Sequence, residues 1–252
     1  MTETSHGHTT ADGQSSESGL LRTLGVGLGL WVLGVGGFFG AGVGVRVAAI
    51  VGLGVEYGQS PPWVTAAGQG LAAVAMLAVG GGYAVRYHDG LWGDRDLGEH
   101  ARVIGGGVLV AAVAYTTFQV GVAVAGVTLP QNVIGSTQGT WVYVALLAYT
   151  VVGAPVVEEV LFRGAIQRRL RVSLGRWPAV ALASVPFLSV HAGTYVGGST
   201  LGLGLAVALL FGVSLLLGYV YDRTNALVVP VLVHAGYNTF ALTTGLLGVW
   251  PA

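Results

Sequence analysis

The sequence predicts an all-α membrane protein, a polytopic bundle of about seven to eight transmembrane helices, and three observations predict it. Charged residues make up only 9% of the chain and hydrophobic ones 53%, whereas a soluble domain carries roughly 25% charged residues. Several uncharged apolar runs reach about 20 residues, enough to cross a hydrocarbon core of about 30 Å as a helix. The arginines gather at alternate ends of those runs, as loops that stay in the cytoplasm require.

Taken in order, the runs place spans at about 24–45, 63–85, 103–127, 141–160, 177–193, 200–220 and 226–248. Residues 47–57 are apolar but too short to cross alone, so they extend the first helix or lie at the interface. The first 19 residues, MTETSHGHTTADGQSSESG, are polar and read as a disordered tail by composition. They lack the basic n-region of a secretory signal, and the following apolar run exceeds an h-region, so the first span is expected to be retained. His6 and His8 in that tail carry no catalytic expectation.

With the tail in the cytoplasm, alternation puts Arg22, the 86–102 loop, the 163–176 segment and Arg223 on the cytoplasmic side. Only Arg46 is left outside, together with the charge-free 128–140 loop. The chain is therefore expected in the cytoplasmic membrane, with membrane lipids as its surroundings.

Composition also excludes chemistries. All 11 basic residues are arginine and they balance 11 acids, so no basic surplus points to nucleic acid. Without lysine there is no Walker A loop and no Schiff base. Without cysteine there is no disulfide, thiol nucleophile or thiolate metal site. Glycines four apart, such as Gly25 with Gly29, Gly36 with Gly40 and Gly193 with Gly197, read as helix-packing contacts.

An ionisable side chain within a span costs several kcal/mol unless it is paired or faces a wet cavity. The candidates are few: Glu158 and Glu159, His191, and His234 with Asn238. Pro155 is placed to start or kink a helix just before the carboxylates. Glu159 and Arg163 are four apart with the acid first, the favourable order for an ion pair, while Glu158 points about 100° away. Glu159 is thus expected to be held by Arg163, and Glu158 to be left facing a cavity. At about 1.5 Å per residue, Glu158 lies about 15 Å from Arg168, His191 about 22 Å from Arg176 and His234 about 16 Å from Arg223. Three helices so bring polar groups to a similar depth, and Asn238 follows His234 by one turn on the same face. A lone histidine in a span is more often an interhelical hydrogen-bonding group; a carboxylate, two imidazoles and an amide at one depth argue for a site. Phe187, four before His191, reads as packing that orients the ring. Gln69 and Gln119 read as helix-bonding amides, and Asp222 beside Arg223 as a solvated ion pair.

At these residues the chain resembles the CPBP intramembrane proteases, also called the Abi or CAAX protease family, which includes the Ras-converting type of prenyl endopeptidase. The matching motifs are EExxxR at Glu158, Glu159 and Arg163, FxxxH at Phe187 and His191, and HxxxN at His234 and Asn238. Each is short, but all three occur in order on expected spans, over roughly 141–247. The resemblance divides the chain into a tail at 1–19, N-terminal helices at 20–140 that contribute only additional spans, and a catalytic core at 141–252. It implies an endopeptidase in which Glu158 and His191 activate water while His234 and Asn238 stabilise the oxyanion. Its expected substrate is a membrane-associated protein or peptide, cut near its C-terminus and prenylated in some relatives. Some family members instead serve in immunity or as scaffolds.

The chemistry of the residues agrees with this reading. Amide hydrolysis needs a nucleophile, a proton acceptor and donors for the developing oxyanion. Glu158, in low dielectric and without its own cation, is suited to shuttling a proton as base and then acid. The same Glu158, His191 and His234 are also a ligand set for a catalytic divalent metal such as zinc. The metal-free form is preferred, since Glu159 is committed to Arg163 and leaves no second carboxylate as base. HExxH, the rhomboid GxSG and a GxGD partner for Asp222 are absent. A proton-coupled transporter would also bury Glu and His, but it predicts a repeat between halves that the sequence does not show. The cavity is expected to open to the cytoplasm, from which the depths were measured.

Overall fold

The computed structural model describes residues 10–56, 60–88, 90, 92–93, 96–129, 131–132, 140–191, 195–196 and 198–249, with side chains of 10–16, 131–132 and 195–196 left aside. The fold is helical: α1 (Thr10–Leu53), α2 (Pro62–Tyr87), α3 (Leu97–Ala125), α4 (Thr140–Leu170), α5 (Arg176–Ser189), α6 (Thr200–Thr224) and α7 (Val228–Leu246). Two short strands, β1 (Gln131–Asn132) and β2 (Tyr195–Val196), pair antiparallel and join the α3–α4 and α5–α6 connections. Five helices, namely α1 from Glu17, α2, α3, α4 and α6, are long and apolar enough to cross a membrane. Their outward faces carry large exposed apolar side chains such as Leu28, Val74, Val110 and Leu201, a surface that hydrocarbon covers and water would not tolerate. The protein is an integral membrane protein.

Three elements depart from the sequence reading. Helix α1 has 44 residues, about 66 Å at the helical rise, and at one end it takes in residues 47–53, one of the two places expected for them. At the other end it enters the segment read as a tail, of which residues 1–9 lie outside the described residues. A helix nucleated in an apolar span propagates into polar sequence at little cost per residue, which composition does not register. Helix α5 has only 14 residues, about 21 Å, too short to cross, so the span expected at 177–193 stops part-way. Its end, at Val190 and His191, lines a cavity, the place where irregular backbone is tolerated at membrane depth. Helix α4 runs ten residues past its expected end at 160, to Leu170, and carries Arg163 and Gln167 into the core.

Helix α4 is the axis of the bundle. Its Val157, Leu161, Phe162, Ala165 and Ile166 pack with Leu30 of α1, Met76 of α2 and Ala183 and Phe187 of α5. A second core joins Ala111 of α3, Val213 and Leu217 of α6, and Val229, Val233 and Tyr237 of α7. The close approach of α2 to α4 rests on Gly80, where a Cβ would stand 2.7 Å from the Leu161 Cα. By contrast, Cβ atoms at Gly25, Gly29, Gly36 and Gly40 would meet nothing within 4 Å, so these pairs do not make the tight contacts expected of them. Spacing alone leaves open which way a helix is turned; Gly193 and Gly197 lie outside the described residues. Asp222 is also not the solvated partner of Arg223: its side chain on α6 is largely covered and pairs with Arg171, at 2.8 Å, and Arg176, tying the α4–α5 turn to α6.

Candidate active site

The site is built on two irregular stretches of α4. The helix widens to π geometry over Tyr149–Gly153 and again over Val160–Gln167, leaving Ala154–Glu159 as one α-helical turn and a half between them. Such π turns recur at functional sites because they re-aim side chains without ending the helix. In the first, the Ala154 N–H reaches back five residues to the Tyr149 carbonyl. The next donor in that register would serve Thr150, but it belongs to Pro155, which has no N–H. The Thr150 carbonyl instead accepts from Asn238 Nδ2 of α7, at 2.7 Å. Pro155 thus leaves a carbonyl that fixes the Asn238 side chain.

The adjacent carboxylates separate as expected. Glu159 is fully buried, and its Oε1 accepts from Arg163 Nη1 at 3.0 Å. Arg163 is also fully buried; its Nη2 donates to the carbonyl and the hydroxyl of Ser214 on α6, both at 2.7 Å, and its cation lies 5.0 Å from the Phe187 ring centroid. One turn on, Gln167 Nε2 donates to the Gly218 carbonyl at 2.9 Å. Glu158 faces the other way, into a cavity of about 750 Å³, with its buried Oε2 lacking any hydrogen-bond partner among the described residues.

His191, His234 and Asn238 line that same cavity. The His191 Nδ1 lies 3.1 Å from the Phe187 carbonyl, so it carries the proton and Nε2 holds the lone pair. The Phe187 ring packs on both imidazoles, with centroids 4.9 Å from His191 and 5.8 Å from His234. His234 Nδ1 contacts Glu159 Oε1 at 3.0 Å, so the carboxylate that holds Arg163 also orients the second histidine. This contact was not foreseen: it links residues 75 apart and no local spacing signals it. Ser214 was missed for the same reason, whereas Gln167, an amide four beyond Arg163, was open to notice.

Helices α1–α3 do more than add spans, because they form the opposite wall. Arg46, Gln69, Tyr115 and Gln119 line the cavity, and Gln119 Nε2 donates to Tyr115 Oη at 3.3 Å. The donor types of Glu158, His191 and His234 suit a zinc ion, but among the described residues no three His, Cys, Asp or Glu side chains are grouped so as to hold one. One nitrogen of His234 is already engaged by Glu159.

Residues 139–240 match the family model described as type II CAAX prenyl endopeptidase, Rce1-like. Over these residues the chain is similar to the CAAX protease family. The matched region begins at the start of α4 and ends within α7, so it contains all three motifs and every polar residue of the site except those from α1–α3. The family is one of membrane-embedded peptidases. Neither the curated proteins nor the solved structures searched contain a match to the chain.

Proposed function

We propose that the protein is an intramembrane endopeptidase that cleaves a membrane-associated protein or peptide near its C-terminus, with prenylated CAAX-like tails as the first substrates to try. The observation that carries this reading is the convergence of Glu158, His191, His234 and Asn238 on one cavity from α4, the end of α5 and α7. Glu158 takes a proton from water as the oxygen attacks the scissile carbonyl, and later returns it to the leaving amine. The Nε2 lone pair of His191 holds the same water. The carbonyl oxygen, negative once attacked, is met by the Asn238 amide and His234. Asn238 Nδ2 keeps a second hydrogen beyond the one given to Thr150. The Glu159 carboxylate at His234 Nδ1 orients that ring for the contact. Glu159 and Arg163 act as positioning residues, and Phe187 packs both rings.

The test is to purify the protein in detergent, measure bound metal, and compare wild type with Glu158→Gln and His191→Ala on a panel of prenylated peptides. The expected outcome is loss of cleavage in both variants with folding retained and no dependence on metal. Activity unchanged in both would leave a catalytically idle scaffold or immunity protein; a stoichiometric metal lost together with activity would move Glu158, His191 and His234 to ligand roles.

A further inference from the structure

Every helix that lines the cavity does so with the half opposite the end where the arginines gather, and Arg46 of α1 is the one lining arginine. On α2 the cavity takes Thr65 and Gln69 near the start, whereas Arg86 stands in the last turn. On α3 it takes Tyr115 and Gln119, with Arg102 near the other end. Helix α4 offers Tyr149 to Glu158, upstream of Arg168 and Arg169; α5 offers only its far end, opposite Arg176. Helix α6 contributes Ala206 to Val213 and ends in Arg223, and α7, which starts just after Arg223, contributes from His234 onward. On α1 the lining runs from Phe38 to Arg46, remote from Arg22.

Towards the arginine-bearing ends the cavity is closed. The Arg163 contacts to Ser214, the Gln167 bond to Gly218, and the buried side chains of Phe162, Ile166, Leu217 and Leu227 fill the bundle below Glu158. Exposed tryptophans mark both interfaces: Trp63 and Trp141 at the starts of α2 and α4, and Trp177 at the start of α5. The cavity belongs to the side of Trp63 and Trp141.

We infer that the cavity opens on the non-cytoplasmic face, so that its substrate is a polypeptide segment presented outside the cytoplasm or in the outer leaflet. The arginine distribution keeps the arginine-bearing ends in the cytoplasm, and the mouth lies at the other end of every helix. This reverses the cytoplasmic opening expected from sequence while keeping the cytoplasmic tail. The sidedness stands on the cavity's place in the bundle together with the arginine distribution; the substrate class rests on the peptidase reading.

The chain contains no cysteine, so single-cysteine variants can be made directly in the natural sequence. Arg46→Cys and Thr65→Cys report the cavity wall, and Val172→Cys, exposed in the α4–α5 turn, reports the arginine face. In intact cells a membrane-impermeant maleimide should label at least one of the two cavity variants, and should label Val172→Cys only after permeabilisation. Labelling of Val172→Cys in intact cells, or of neither cavity variant before permeabilisation, overturns the inference. An impermeant peptide found cleavable by the purified protein is then added outside intact cells, where cleavage is expected. Correct labelling without cleavage of any peptide by the purified protein would sink the peptidase reading and leave the sidedness standing.

Discussion

Glu158 and Glu159 are neighbours in the chain, yet they belong to two unlike regions of the molecule. Below them lies a closed polar core in which Arg163 bonds Glu159 and Ser214 and Gln167 bonds Gly218 among apolar side chains, with Glu159 Oε2, Arg163 Nε and Gln167 Oε1 left without a partner among the described residues. Above them lies a cavity lined by Glu158, His191, His234 and Asn238, where Glu158 Oε2 has no hydrogen-bond partner among the described residues. The difference separates what polar groups do in a membrane. Groups packed away from the cavity hold helices together, and an ionisable group at membrane depth is costly unless the opening it faces is used.

This contrast can be broken residue by residue. Glu158→Gln should lower kcat by about 10²- to 10⁴-fold, the usual worth of a positioned acid–base group, while its melting temperature in detergent stays at the wild-type value or rises. Arg163→Ala should do the reverse, costing about 3–5 kcal/mol of stability by leaving the Glu159 carboxylate buried without its arginine; thermal unfolding in detergent reads it. Equal stability losses in the two variants would erase the distinction between the regions. Asn238→Ala should cost about 10²–10³-fold in kcat with little change in KM, as removal of an oxyanion donor does. Pro155→Ala sharpens that result. By restoring a backbone N–H for the Thr150 carbonyl it should release Asn238 and reproduce part of the same loss, and an unchanged kcat would show that the proline does not act through Asn238. The smallest effect is expected from packing: Gly80→Ala should destabilise by about 1–3 kcal/mol, since the added methyl meets the Leu161 backbone. Gly36→Ala, with open space around it, serves as the neutral control.

Much of the site was legible because its motifs are local. EExxxR, FxxxH and HxxxN each place two or three side chains one turn apart on a helix, and that geometry follows from the helical period. The Glu159–Arg163 pair and the outward turn of Glu158 were readable in the same way. What could not be read were contacts between helices. These include the second use of Glu159 to hold His234, the Ser214 bonds to Arg163, and the chain of cause from Pro155 through Thr150 to Asn238. The early end of α5 was hidden as well, because an apolar run has the same composition whether or not it finishes the crossing.

By itself, the amino-acid order determined that this chain lives in a membrane, where its arginines lie along each helix, and which few side chains are too polar to be there idly. Those properties are set by transfer from water to hydrocarbon and by the rise of a helix, which act on each segment separately. Only the tertiary structure decided which polar groups are spent on one another, which face a shared cavity, and at which end of the bundle that cavity opens. Those depend on how each helix is rotated and how closely it approaches its neighbours, and packing between segments distant in the chain settles both.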